Sequence, residues 1–138
     1  MRIEEAKDRV VDVWRDSAEA TLCLALVDLL AKHASAMDRV TFALIHRVAN
    51  ENNVRDEKVV AEVVQFLIGH DLHLLDPVYE YIDDRDRVYV ISYKDMKATF
   101  STGEFYPPES NEADPDFEDK IFLSFVPSVL ARGMAATQ

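Results

Sequence analysis

Apolar residues return every three or four positions at the start of the chain, where Ile3, Ala6, Val10, Val13 and Trp14 alternate with Glu4, Glu5, Lys7, Asp8, Arg9 and Asp12. That spacing predicts an amphipathic helix near 3–15 with one sticky face. Asp16 followed by Glu19 has the form of a capping box, in which each side chain accepts a backbone N–H left free at a helix start. A second helix is therefore expected near 18–33. Leu22, Leu26, Leu29 and Leu30 form its stripe and Cys23, Leu24 and Val27 widen it, so it belongs at the centre of the fold. Asp38 is the expected N-cap of a third helix near 38–50, carrying Val40, Phe42, Leu44, Ile45 and Val48 and fading at Asn50-Glu51-Asn52-Asn53. Asp56 and Glu57 complement a helix dipole at the start of a fourth helix near 56–69, in which Val59, Val60, Val63, Phe66 and Leu67 recur up to Gly69.

After Gly69 the period shortens to two. Leu72-His73-Leu74-Leu75 has the look of a short strand, and a β-hairpin near 78–91 follows from two β-prone runs around the polar turn Asp83-Asp84-Arg85-Asp86. Residues 93–100 carry signals for both helix and strand. Pro107-Pro108 opens an irregular acidic loop near 107–119, whose last eleven residues hold six acids and no base, and which is expected to be solvated and mobile. Ile121, Phe122, Leu123, Phe125 and Val126 return to a core as strand or short helix, Pro127 interrupts them, and residues 133–138 are expected to fray. The pattern predicts one α+β domain, 1–138. It comprises an N-terminal amphipathic helix (1–16), a helical and hairpin core (21–92) and a C-terminal extension (93–138) that holds the acidic loop.

The run Val54-Arg55-Asp56-Glu57-Lys58-Val59-Val60-Ala61-Glu62-Val63-Val64-Gln65-Phe66-Leu67, followed by Gly69-His70-Asp71-Leu72, carries a resemblance. With the helices before it and the hairpin after it, the segment 21–92 resembles the winged helix-turn-helix superfamily. The resemblance implies that the fourth helix is the recognition helix, that its spaced valines and leucine pack inward, and that Arg85 and Arg87 lie at the wing. It departs from a DNA-reading pattern where DNA would be met: residues 51–71 carry five acids against Arg55 and Lys58.

Composition removes many functions. The net charge of −11 and a pI near 4.7 oppose the phosphate backbone and anionic membranes. Three scattered glycines exclude a Walker loop, a dinucleotide turn and a nucleophile elbow, and one cysteine excludes a disulfide framework or a multi-cysteine zinc site within the chain. The longest uncharged stretch, 121–131, is far below the roughly 18 residues of a membrane helix. Acids at Glu4 and Glu5 do not fit a secretory leader, so a cytoplasmic protein is expected.

Candidate chemistry is sparse. His70 and His73, with Asp71 and Asp76, form the most metal-like group, but in a strand the two rings would point to opposite faces. Asp114, Asp116, Glu118 and Asp119 lack the glycine and the terminal glutamate of a calcium loop. Cys23 sits in an apolar stripe, as a buried thiol does. His33 and His46 show no local serine or carboxylate pairing. No enzyme, cofactor or metal is expected.

The expectation is a non-enzymatic protein-interaction module, a regulatory or accessory subunit. Tyr79, Tyr81, Tyr89, Tyr93, Phe100, Phe105 and Tyr106 supply aromatics, some buried and some free to form a patch beside the acidic loop. A protein partner or a homodimer is expected, with Ile3, Val10, Val13 and Trp14 pairing across a twofold axis or else folding back on the second helix. The first alternative is a winged-helix DNA-binding regulator using Arg55, Lys58, Gln65, Arg85 and Arg87 in a basic stripe with Arg47; the second is an acidic mimic of DNA.

Overall fold

A computed structural model describes residues 1–136. The fold is α+β, with six α-helices and a three-stranded antiparallel sheet among the described residues. Helix α1 (Ile3–Trp14) turns Ala6 and Val10 fully inward and leaves Val11 and Val13 in solvent. Lys7 ties it to α2 (Ala18–His33) through Asp28 at 2.7 Å. The cap of α2 is Ser17, whose hydroxyl accepts the Ala20 N–H at 3.2 Å, and not Asp16 as the capping-box pattern suggested. Seven residues of α2 are buried, Leu22, Cys23 and Val27 completely, which puts this helix at the centre of the main core.

Helix α3 (Phe42–Glu51) starts later than Asp38. Val40, β-branched and extended, exchanges two backbone hydrogen bonds with Phe125 at 2.7 and 2.9 Å, so the chain is still strand-like there and Thr41 becomes the cap. Asn53 takes the left-handed backbone (φ 59°) that ends the helix. Asp56 caps α4 (Glu57–Ile68) through the Lys58 N–H, and Val60, Val63, Val64 and Leu67 are its buried face.

Residues 72–74 do not form the expected short strand. His73 is left-handed (φ 46°), and the Leu74 N–H donates back to the Leu67 carbonyl, closing a turn that buries Leu72 and Leu74. Strand β1 (Leu75–Ile82) begins after it and pairs antiparallel with β2 (Val88–Ile91), Tyr81 opposite Tyr89 and Ile82 opposite Val88. Asp83 builds the turn by accepting the N–H groups of Arg85 and Arg87, each at 2.9 Å. Residues 93–100 are helical: Ser92 caps α5 (Tyr93–Thr102), and Gly103 ends it at φ 77°.

The acidic loop is not solvated throughout. Its Asp114 is drawn inward by Tyr81 and Lys120, and a 3-10 turn, Phe117–Asp119, packs Phe117 against Phe105 at 5.9 Å. Strand β3 (Ile121–Pro127) completes the sheet in the order β2-β1-β3. The expected frayed end is instead α6 (Val129–Ala136) as far as Ala136, because Ala131 and Met134 are buried and Arg132 donates to the carbonyls of Ala34 and Met37; positions 137–138 lie outside the described residues.

Two compact units result. One joins Met1–Asp76 to the chain from Phe125 onward and holds the main core of α1 to α4 with α6. The other, Pro77–Ser124, is organised around Tyr81, Ile91, Met96 and Phe105. The extension foreseen as 93–138 is thus shared out, its first part with the hairpin and its end with the helices.

Candidate protein-binding surface

The unit Pro77–Ser124 presents its sheet unequally. On one face Tyr81, Ile91, Met96 and Phe105 form a closed cluster, with Tyr79, Tyr89, Phe117 and Ile121 packed against it. Side chains alternate along a strand, so the residues between these point to the other face. There Val88, Val90 and Phe122 are 54%, 68% and 54% exposed. Tyr93, Phe100 and Tyr106, on α5 and the segment after it, are also exposed. Phe100 meets Tyr79 edge-on at 6.1 Å and, with Met96, Leu123 and Glu118, lines an apolar groove of about 340 Å³. The unit holds twelve acids against five bases, a net charge of −7.

A polar knot fixes this surface. The Tyr81 hydroxyl donates to Asp114 at 2.6 Å, and Lys120 bonds Asp114 at 2.9 Å and Asp84 at 3.2 Å. The hydrogen bonds from Tyr81 and Lys120 hold the Asp114 carboxyl below the usual carboxylate range, whereas burial and the neighbouring carboxylate push the Tyr81 phenol up to about 12. Lys120, bonded to Asp114, is raised in turn.

The residues singled out for self-association are not one open stripe. Val10 is buried in its own core, Ile3 packs against that core, and Trp14 lies on Phe66 with ring centroids 4.5 Å apart; Val13 alone of the four is exposed. The helix folds back within its unit, and Arg9 secures it by donating to the Asp71 carbonyl at 2.6 Å. Its end and that of α4 flank a shallow groove of about 470 Å³ that includes Asp12, Phe66 and His70.

The basic residues are interrupted by acids. Lys58 and Gln65 share an exposed face of α4 with Glu62 between them, Arg47 lies 4.0 Å from Glu51, and Arg87 bonds Asp83 at 2.8 Å. Arg55 and Arg85 are exposed. No known family model, curated protein or solved structure matches the chain. Its chemistry therefore rests on its own side chains.

Those side chains form few reactive groupings. His73 bonds Asp76 at 2.6 Å and Ser128 lies against the same turn, but the Ser128 hydroxyl donates to the His73 carbonyl and accepts the Ala131 N–H. It is the cap of α6 and lacks the imidazole partner an activated serine needs. His46, with no carboxylate close to it in sequence, bonds Glu57 at 3.0 Å and the Phe42 carbonyl at 2.8 Å. The two hydrogen bonds raise its pKa, the Glu57 bond first. Cys23 is fully buried and desolvation pushes its thiol up to about 12, which suppresses the nucleophilic thiolate. Among the described residues no three His, Cys, Asp or Glu side chains gather as metal ligands, and no helix is long and apolar enough to cross a membrane.

Sequence reasoning found the aromatics of this surface but missed Val88, Val90 and Phe122. The alternation was present, yet Arg87-Val88-Tyr89-Val90-Ile91 is apolar at four consecutive positions and conceals which face is covered.

Proposed function

We propose that the chain is a non-enzymatic protein-interaction module, a regulatory or accessory subunit, on a winged-helix-like scaffold: α2, α3 and α4 are followed in sequence by the β1–β2 hairpin. The observation that carries this reading is the exposed apolar surface of the Pro77–Ser124 unit, set in a unit of net charge −7. Exposed apolar and aromatic side chains, here Phe100 on the α5 side of the sheet and Val88, Val90 and Phe122 on the other, are what protein partners bury. The acids that break up the basic positions argue against phosphate contact as the main source of affinity.

The test is affinity capture with the full chain, comparing wild type with Phe100→Asp and Phe122→Asp. A partner retained by wild type should be lost or weakened by the substitution on the sheet face it covers, Phe100→Asp on the α5 side or Phe122→Asp on the other, and should rebind wild type when purified. Sequence-specific DNA retention at physiological salt, abolished by Arg55→Ala and Lys58→Ala, would replace this reading with that of a DNA-binding regulator.

A further inference from the structure

We propose that the outer edge of β2 receives an extended, basic segment of a partner protein as an added strand. This rests on the interaction reading above and names the mode of binding and the chemistry of the partner. Strand β2 lies at the edge of the sheet. Its pairing parity is fixed at the turn, where the Asp83 N–H donates to the Arg87 carbonyl at 3.0 Å, and by the register that sets Tyr89 opposite Tyr81 and Ile91 opposite Tyr79. Backbone groups alternate along a strand, so Arg87, Tyr89 and Ile91 face β1 while the N–H and C=O of Val88 and Val90 face outward. These outward groups have no main-chain partner among the described residues. The same two residues carry exposed valine side chains, 54% and 68% accessible.

Exposed edges are ordinarily blunted by short length, lysine, proline, a bulge or a covering element, and of these β2 has only its four-residue length. Val88–Ile91 has no lysine or proline, and its ladder runs without an extra residue. An incoming strand would gain backbone hydrogen bonds at Val88 and Val90 and lay alternate apolar side chains beside theirs. Charge selects between occupants. A second copy would bring one unit of −7 against another, whereas a strand that alternates apolar with basic residues is attracted. Arg87, next to the edge, is already neutralised by Asp83.

The experiment uses the full chain and two short peptides, one alternating lysine with valine and one glutamate with valine. The lysine peptide should slow amide exchange at Val88 and Val90 by about tenfold or more, and the glutamate peptide should not. Val90→Pro removes one outward N–H and spares the ladder to β1; it should weaken the lysine peptide by up to about tenfold, while Val90→Thr, which keeps the N–H, binds like wild type. The exchange measurement on wild type stands even if the proline variant fails to fold. Unprotected amides, equal protection by both peptides, or a wild-type dimer that Val90→Pro dissociates would each overturn the proposal. A partner captured through Phe100 or Phe122 that leaves the two amides unprotected would overturn the edge and leave the interaction reading standing.

Discussion

The phenol of Tyr81, in the middle of the sheet, donates a hydrogen bond to the carboxylate of Asp114, thirty-three residues later in the acidic loop. This bond makes an acid-rich segment part of a folded unit. With Lys120 on the same carboxylate, Asp114 is a charged group whose neighbours satisfy it, although five other acids crowd residues 109–119.

Tyr81→Phe should therefore destabilise the protein by about 1.5 kcal/mol, near the low end for a hydrogen bond to a charged group, since Lys120 stays on the same carboxylate. Asp114→Ala should cost more, because it also leaves the buried Tyr81 hydroxyl unpaired. Chemical denaturation checks both. The pH window follows from the shifts. Asp114 is lowered, so its contribution is present above the unfolded carboxylate pKa near 3.8 and is lost as pH falls through the folded value. Tyr81 is raised, so its contribution is present below pH 10 and is lost as pH rises through about 12. A difference titration of phenolate absorbance, wild type minus Tyr81→Phe, should place its midpoint near the upper figure.

His46 gives the second pH signature. Both ring nitrogens face acceptors, the Phe42 carbonyl and Glu57, so the imidazolium satisfies both bonds where a neutral ring satisfies one. The folded pKa is raised, hence the stabilisation is fully present below the unfolded value of 6.5 and disappears as pH rises through the folded value. The pair is substantially exposed, which limits the effect to about 0.5 kcal/mol. His46→Gln should lose stability relative to wild type at pH 5.5 and converge with it at pH 9; a constant difference would mean that packing, not charge, is the cause.

Trp14 is the third test. It rests on Phe66 within its own unit, so Trp14→Ala should cost about 2 kcal/mol, less than the usual loss for a fully buried aromatic. Sedimentation should give the same mass before and after the substitution. A wild-type dimer that became a folded monomer would restore the self-association expected for this helix.

The sequence made the first four helices legible because each has a long apolar period and a polar residue at its start. It misplaced boundaries where a neighbour in space decided them. Val40 has the right spacing for α3, but Phe125, eighty-five residues away, offers it a strand partner. Residues 133–136 include one glycine and two alanines, and the segment is helical because Ala131 and Met134 enter the core and Arg132 anchors it. The candidate surface was half legible for the same reason: aromatic content is written in the sequence, whereas the open face of the hairpin depends on what α5 covers.

Two of the three glycines should respond to alanine in opposite directions. Gly103 closes α5 with φ 77°, a conformation that costs any L side chain, although a Cβ there would meet no atom within 4 Å. Gly103→Ala should therefore destabilise by about 1 kcal/mol through backbone strain alone. Gly133 lies inside α6 with the same empty space around a Cβ and no positive φ. There alanine restricts the unfolded chain and favours the helix, so Gly133→Ala should stabilise by about 0.5–1 kcal/mol. Thermal melts of the two variants should move apart on either side of wild type. A Gly133→Ala melt below wild type would mean that α6 does not persist as a helix through position 133 in solution.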